Sequence, residues 1–184
     1  VDEGPHHAPS RVACSAVKEG TEYILTGTKV FILDGQTADK LLVSARTSGE
    51  PHSDGGISLF MLDANAQGLQ IQRTTMVDSR NSANLVMDQV RVSEDSLLGV
   101  EGAGFTALNT TLDIARIGVA SEMLGSVQEI FQRIVEYLKQ REQFGVQIGA
   151  FQALQHRAAQ MYSEIELCRS AVLGALRCLD DPSA

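Results

Sequence analysis

Residues 141–155 bring one positive charge, two aromatic rings and several amide side chains into a short segment, REQFGVQIGAFQALQ. The segment lies between two long amphipathic helical patterns, and a junction of this kind is a place where a ligand can bind. On composition alone a structural explanation is favoured, because most charges at helix ends are structural. Arg141 in the last turn of the first helix would complement the negative end of the helix dipole, and Gly145 would terminate that helix.

Two other pairs of residues have types that can do chemistry. Asp113 and Arg116 lie three residues apart on one predicted helix, so a local ion pair worth about 0.2–0.5 kcal/mol would account for both. His6 and His7 are adjacent in a segment without periodicity, where neighbouring side chains point to opposite faces. With no third ligand evident, we expect no metal site there.

Composition excludes several classes of protein. The chain has 184 residues, of which 43% are hydrophobic, and this is enough for a globular core. Its net charge of −8 would repel a phosphate backbone, so we expect no nucleic-acid partner. No apolar run is long enough to span a membrane, and the three cysteines form no C-x-x-C motif, which fits reduced thiols in a cytosolic protein. We expect Val1 and Ala184 to be the edges of a fragment.

The first half of the chain has the pattern of an antiparallel sheet. Short β-branched and apolar runs alternate with turn clusters such as Lys18-Glu19-Gly20 and Asp34-Gly35. We expect no helix before about Gly102. The predicted strands are Val12 to Val17, Tyr23 to Thr26, Thr28 to Leu33, Lys40 to Arg46, Ile57 to Asp63, Leu69 to Arg73, Asn84 to Met87 and Gln89 to Val92.

The second half has a helical period. Apolar residues recur every three or four positions from Phe105, which predicts a long helix to about Gln140 with one buried stripe. A second helix is predicted from near Ala150 to near Pro182. The fold class is therefore α+β: an antiparallel β-barrel or sandwich domain (residues 1–100), then long antiparallel helices of an incomplete up-down bundle (residues 101–184). Two helices cannot close a core alone, so they must pack on each other, on the sheet, and on helices of another chain or of residues outside this sequence. We expect a homo-oligomer, either a dimer or a tetramer. The predicted stripe comprises Leu108, Leu112, Ala115, Val119, Met123, Val127, Ile130, Ile134, Tyr137 and Leu138, and the second helix places Phe151, Leu154, Ala158, Met161, Ile165, Cys168 and Val172 on one face.

The order and spacing of several motifs resemble the acyl-CoA dehydrogenase family over nearly the whole chain. The segment at Arg141 reads R-x-Q-F-G-x-x-I-x-x-F-Q-x-x-Q and is followed by H-x-x-A-x-M and Cys168-Arg169. Upstream, the matching motifs are Tyr23-x-Leu25-x-Gly27-x-Lys29, Val30-Phe31-Ile32 with Gly35, Ala38-Asp39, Ala45-Arg46-Thr47, Gly68-Leu69, Leu98-Gly99 with Gly102-x-Gly104-Phe105, and Leu112-Asp113-x-x-Arg116-Ile117-Gly118-Val119-Ala120.

The resemblance implies an activity, a cofactor and partners. Members of this family bind FAD and oxidise an acyl-CoA to its trans-2-enoyl form, as in fatty-acid β-oxidation. A base removes the α-proton while the β-hydrogen leaves as hydride to flavin N5. The implied partners are an acyl-CoA substrate and an electron-transfer flavoprotein-like acceptor. The implied location is the cytoplasm, or the mitochondrial matrix in a eukaryote.

The resemblance also implies residues that bind the cofactor. Arg141 matches the arginine that reaches the FAD pyrophosphate of a neighbouring subunit, and Phe31 matches an aromatic against the flavin ring. An ordinary core role remains the alternative for Phe31, and helix packing for Phe144 and Phe151. Leu33 stands where the family often has a hydroxyl that hydrogen-bonds flavin N5, and leucine cannot donate that bond. The adenosine half of FAD is matched by Gln143, Phe144, Ile148, Phe151 and Gln152.

For the substrate, the resemblance implies Arg116 near the thioester and Asp113 at the CoA portion. The catalytic base is not identified: most members supply a glutamate that would lie beyond Ala184, and others place one where this chain has Ala115. Two alternatives to a dehydrogenase fragment follow. One is a non-catalytic subunit that binds FAD and acyl-CoA while a partner chain supplies the chemistry, and the other is a related flavin oxidase.

Overall fold

The computed structural model describes residues 8–78 and 80–180 of the chain. These residues form two compact units, of which the first ends at Thr110 and the second begins at Thr111. The first unit contains a seven-stranded sheet and the second contains most of two long helices. The His6–His7 pair and the predicted helix end at Pro182 lie outside the described residues.

The sheet of the first unit confirms the predicted β region, with strands in the order β5-β6-β2-β1-β3-β4-β7. The predicted bounds of β3 and β4 are confirmed, whereas β1 begins later than predicted and β5 continues two residues further. The strands are β1 (Ser15–Glu19), β2 (Glu22–Leu33), β3 (Lys40–Arg46), β4 (Ile57–Asp63), β5 (Leu69–Thr75), β6 (Asn81–Ser93) and β7 (Leu97–Leu98), and a short 3-10 helix occupies Glu94–Ser96.

The antiparallel prediction is wrong at one pair, because β1 and β3 are parallel where Ser15 meets Arg46. Parallel neighbours need a long connection, and here β2 supplies it by running back along the far side of β1. The predicted breaks inside β2 and β6 are also wrong. Each is one continuous strand, and the register shifts near Gly27 and Phe31 are β-bulges rather than turns.

The core of the first unit is formed by buried residues that include members of β1 to β4 and β6. Tyr23, Leu25, Phe60 and Leu62 are almost completely buried, and the rings of Tyr23 and Phe60 lie 5.0 Å apart in a tilted arrangement. Buried and exposed residues alternate along β3, as expected for a strand with one face on a core. This packing gives the strands the fixed register on which the bulges depend.

The helices are α1 (Gly104–Gln140) and α2 (Gln152–Asp180), so both ends of the first predicted helix and the start of the second are confirmed within two residues. The predicted single buried stripe on α1 is wrong, since Val119, Met123 and Ile130 are each more than half exposed. A second set, including Leu124, Phe131 and Val135, is half-buried instead. The helix has two apolar faces, and a pattern of apolar residues cannot tell which of them the chain itself covers.

Contacts between α1 and α2 within the second unit involve the half-buried set. The rings of Phe131 and Tyr162 lie 6.1 Å apart, and the Gln128 amide oxygen accepts hydrogen bonds from the Arg169 guanidinium. An apolar groove of about 440 Å³ separates the two helices elsewhere and is lined by residues including Leu124 and Ile165. Of the predicted α2 face, Ile165 is buried, whereas Cys168 is exposed. Within the described residues, neither helix is long and apolar enough to cross a membrane.

Candidate functional site

The connector between α1 and α2 is an ordered structure with its own hydrogen bonds. It contains a small hairpin of β8 (Glu142–Gln143) and β9 (Val146–Gln147), followed by a 3-10 turn at Ile148–Ala150. The sequence pattern did not predict this hairpin. Strands of two residues are too short to show a periodicity of their own.

The prediction that Arg141 lies in the last turn of α1 is wrong, because the helix ends at Gln140 and Arg141 follows it directly. Its amide donates to the Tyr137 carbonyl at 2.9 Å, and its own carbonyl accepts from the Ile148 amide at 2.8 Å. The backbone of Arg141 therefore ends the helix and also closes the base of the connector. Gly149 tightens the same junction, because a Cβ there would lie 2.8 Å from the Leu138 carbonyl oxygen.

Gly145 does not terminate α1, contrary to the prediction. It is the second residue of the two-residue hairpin turn, with φ of 77°, and Phe144 is the first, with φ of 55°. Positive φ at both positions is the requirement of a type I′ turn, which suits the twist of a tight hairpin. Glycine meets that requirement without strain, whereas Phe144 is held in a conformation that non-glycine residues rarely adopt.

Phe144 and Phe151 are brought together by the connector. Their ring centroids are 6.2 Å apart and the planes meet at 78°, which is a favourable edge-to-face geometry. Phe144 is 92% exposed and Phe151 is 37% exposed, so the alternative of helix-core packing is wrong for Phe144. The pair forms an open aromatic surface on the connector.

The other residues predicted around this surface are also accessible. Gln143 and Gln152 are exposed, and Ile148 is half-buried. The Gln143 amide donates to the carbonyl of Glu142 at 2.8 Å, while Gln152 is the first residue of α2. Within residues 8–78 and 80–180, the Arg141 guanidinium forms no hydrogen bond or ion pair. Arg141 is thus an exposed cation close in sequence to two aromatic rings and two amides. Side chains of these types suit an anion that carries an aromatic ring.

Asp113 and Arg116 form the predicted local ion pair on α1. The Asp113 carboxylate accepts from the Arg116 guanidinium at 2.5 Å, and both side chains are about half exposed. Ala115 lies between them on an exposed part of the helix and has no atom that accepts a proton. The pair is a charged feature of α1 that a ligand can still reach.

Phe31 lies in the first unit, at a bulge of β2, and is 48% exposed. The alternative of an ordinary core phenylalanine is therefore wrong. Its φ is 54°, and its amide donates to the Asn84 side-chain oxygen at 3.2 Å. Leu33 is 72% exposed, so it does not point into the core either.

Two residues that sequence reasoning passed over have defined roles. Asn84 supports the backbone of Phe31, and its only sequence signal is that it is the one polar residue in the run ANLVM. Arg46, known from the sequence only as part of a motif, donates to backbone carbonyls that include those of Ser10, Ser53 and Gly55. It therefore holds the loop that follows β3. Among the described residues, no group of three His, Cys, Asp or Glu side chains is placed to hold a metal.

Comparison with protein families gives two matches that together span most of the chain. Residues 6–90 match the acyl-CoA dehydrogenase middle domain, and residues 102–183 match the acyl-CoA dehydrogenase C-terminal domain. An acyl-CoA dehydrogenase of Bacillus subtilis (strain 168) is 34% identical over 164 residues, which is 88% of this chain and 43% of that protein.

Solved structures give the same relationship. Butyryl-CoA dehydrogenase from Megasphaera elsdenii superposes with a TM-score of 0.85 at 32% identity, covering 98% of this chain and 49% of that one. A chain from the work on the electron transferring flavoprotein of Acidaminococcus fermentans and flavin-based electron bifurcation superposes with a TM-score of 0.82 at 35% identity, again covering 98% and 49%. This chain thus spans less than half the length of these relatives. On the two domain matches, it belongs to the acyl-CoA dehydrogenase family.

Proposed function

We propose that this chain is the FAD- and acyl-CoA-binding part of a dehydrogenase that oxidises an acyl-CoA to trans-2-enoyl-CoA. Membership of the family supports this proposal, as does the agreement in fold with butyryl-CoA dehydrogenase. The proposed acceptor of the electrons is an electron-transfer flavoprotein, which the similarity to the Acidaminococcus fermentans chain supports.

The exposed guanidinium of Arg141 carries the proposal. The FAD pyrophosphate has two negative charges, and a planar guanidinium can donate paired hydrogen bonds to its oxygens. Because Arg141 forms no ion pair within the described residues, binding a phosphate there would break no such interaction. The edge-to-face rings of Phe144 and Phe151 offer an apolar surface to the adenosine half, with Gln143, Ile148 and Gln152 around it.

Phe31 is the residue we assign to the flavin ring. Its half-exposed side chain can supply a flat apolar wall, and a phenylalanine loses little conformational freedom when it does so. When bound, the flavin supplies the acceptor for the hydride that leaves the β-carbon. Leu33 offers no hydroxyl to N5, so only backbone groups of this segment are available to donate to the ring edge.

The Asp113–Arg116 pair is assigned to the substrate. A half-exposed guanidinium can bind an anionic or polarised oxygen of an acyl-CoA, and the Asp113 carboxylate orients it from 2.5 Å. The proton-accepting group is not assigned to any residue of this chain, because alanine occupies position 115. We also propose that the chain acts as a homo-oligomer, so that Arg141 serves the FAD of a neighbouring subunit.

The test is FAD binding by the purified chain, measured by quenching of flavin fluorescence during titration. Arg141→Ala should weaken FAD binding about tenfold or more, since charge-assisted hydrogen bonds contribute about 1.5–3 kcal/mol. The affinity of Arg141→Lys for FAD should lie between those of the wild type and Arg141→Ala. An ammonium keeps the charge but cannot donate the paired hydrogen bonds of a guanidinium. Arg133→Ala is the matched control, since the exposed Arg133 is already paired with Glu129 at 2.8 Å.

The same titration can contradict the proposal in two ways. A wild-type chain that binds no added FAD would reject the cofactor assignment altogether. Equal affinity in the wild type and Arg141→Ala would reject Arg141 as the pyrophosphate ligand.

A non-catalytic FAD-binding subunit is the second candidate, and the exposed Leu33 favours it. Its side chain is 72% exposed at the position where the resemblance implies a hydroxyl for N5. Leu33→Thr should shift the visible spectrum or the reduction rate of bound FAD if residue 33 faces N5. Bleaching of bound flavin by an acyl-CoA would favour the dehydrogenase, whereas flavin that binds but never bleaches would favour the subunit. An unchanged spectrum and rate in Leu33→Thr would show that residue 33 lies away from N5.

A further inference from the structure

The bulge in β2 places two residues opposite a single residue of β6. Lys29 pairs with Leu85 and Ile32 pairs with Ala83, so Val30 and Phe31 together face Asn84. A bulge of this kind takes one backbone amide out of the ladder of the sheet. A backbone amide released from the ladder pairs with a side-chain acceptor or with water.

Asn84 supplies that acceptor from its own side chain. The Phe31 amide donates to Asn84 Oδ1 at 3.2 Å. This contact matters because Phe31 has φ of 54°, a left-handed conformation that is unfavourable for a residue with a Cβ. The short side chain of asparagine carries its oxygen, Oδ1, on Cγ and reaches across the strand pair to this amide.

The extra residue changes which way the Phe31 ring points. Before the bulge, the inward-facing residues of β2 include Tyr23, Leu25 and Lys29, all of which are buried. A regular strand would continue this alternation and place Phe31 inside. After the bulge, Ile32 packs against the core instead, and Phe31 is 48% exposed. The inserted residue therefore turns an inward ring outward.

We propose that Asn84 is the positioning residue for Phe31: its carboxamide holds the bulge in the left-handed conformation that presents the aromatic ring for stacking on the flavin. The inference rests on the proposed function, because it takes the flavin as the partner of Phe31. Asn84 touches the backbone of Phe31 rather than the cofactor, so it acts through the ring that it orients.

The first test is hydrogen exchange of the Phe31 amide in the chain without FAD, followed by NMR. Asn84→Leu keeps the size of the side chain and removes the acceptor, so exchange should become about tenfold faster or more, the change expected for a lost hydrogen bond. Asn84→Asp retains an oxygen at the same position and should restore slow exchange. Thermal unfolding of each variant shows whether the sheet is intact, and Asn84→Ala, which also lacks an acceptor, is the substitute if Asn84→Leu does not fold.

Asn81→Leu is the matched control. Asn81 is an asparagine of the same strand whose side-chain oxygen accepts from the Gln36 amide at 2.6 Å, away from the bulge. It should leave exchange at Phe31 unchanged. The second readout is FAD: Asn84→Leu should weaken FAD binding and shift the spectrum of bound flavin, while Asn84→Asp and Asn81→Leu should match the wild type.

The two readouts fail separately. Unchanged exchange in Asn84→Leu would overturn the role of Asn84 in the bulge. Faster exchange with unaltered FAD affinity and spectrum would overturn the link between the bulge and the cofactor. A wild-type chain that binds no FAD would reject the proposed function and the flavin as partner of Phe31, and the exchange comparison would still decide whether Asn84 holds the backbone.

Discussion

At the scale of single residues, a long-range polar contact of the first unit joins Tyr23 to Glu101. The Tyr23 hydroxyl donates to the Glu101 carboxylate at 2.6 Å, although the two residues are 78 positions apart in the chain. Tyr23 is 1% exposed, and Lys18 Nζ lies 5.3 Å from the centroid of its ring. This contact, together with the bond from the Gly102 amide to Ser58 Oγ at 2.8 Å, secures the segment just before α1.

The Tyr23 contact predicts a pH-dependent contribution to stability. The hydrogen bond to Glu101 raises the pKa of Tyr23 above its usual value. Because this pKa is higher in the folded state than in the unfolded state, the contribution is complete below about pH 10 and is lost as pH rises through the folded-state value. Tyr23→Phe should therefore lower the free energy of unfolding by about 1 kcal/mol at pH 8, and by less above pH 10.

Urea unfolding of the wild type and Tyr23→Phe at pH 8 and at pH 11 measures how the loss of stability changes with pH. Tyr162→Phe is the control, since Tyr162 is 56% exposed on α2 and should show no such dependence. A Tyr23→Phe deficit that stays constant up to pH 11 would contradict the assigned cause.

At the scale of elements, the connector and the helices place opposite demands on glycine. Gly145 has φ of 77° in the hairpin turn, whereas Gly174 lies inside α2, and a Cβ at either position would meet no atom within 4 Å. Steric contact is therefore the same at both sites, and only the backbone conformation differs. The two positions separate conformational cost from packing cost.

The prediction is that the same substitution has opposite signs at these sites. Gly145→Ala should destabilise the connector by about 1 kcal/mol, because alanine is strained at positive φ. Gly174→Ala should stabilise the chain by up to about 1 kcal/mol, because alanine is the better helix former. Thermal unfolding measures both, and hydrogen exchange at β8 and β9 localises the first effect. Destabilisation by Gly174→Ala would show that α2 packs closely against another surface at that point.

At the scale of the whole molecule, an apolar stripe on α1 stays exposed in the single chain. It consists of Val119, Met123, Val127, Ile130 and Tyr137, which recur at helical spacing and are 44–63% exposed. A continuous exposed apolar stripe of this kind marks a surface that another protein surface covers. We expect a second copy of the chain to cover this stripe, as the proposed homo-oligomer requires.

The prediction is that Ile130→Lys weakens self-association, because an unpaired charge is costly inside an apolar interface. The dissociation constant should rise about tenfold or more, which corresponds to about 1.4 kcal/mol. Light scattering after size-exclusion chromatography over a range of concentrations measures it. Gln132→Lys, at an exposed polar position of the same helix, should leave association unchanged. A wild-type chain that is monomeric throughout that range would contradict the expectation.

Sequence reasoning succeeded where structure depends on local pattern. The lengths of α1 and α2, the bounds of β3 and β4 and the Asp113–Arg116 ion pair all follow from spacing within a few residues. Sequence reasoning failed at residues that can either end a strand or helix or form a bulge or turn. Gly27 and Asp88 indicated the ends of strands, yet both lie within continuous strands at a bulge. Gly145 indicated the end of a helix but forms a hairpin turn.

The sequence by itself determined the family, the α+β class and the position of the connector between the two helices, because ordered motifs and hydrophobic periods are properties of the chain alone. Only the tertiary structure decided that Phe31 faces outward, since its direction depends on a register shift against β6 and on the Asn84 oxygen, 53 positions away. It also decided which face of α1 is covered by α2. Both outcomes require contacts between segments distant in sequence, and no local pattern records such a contact.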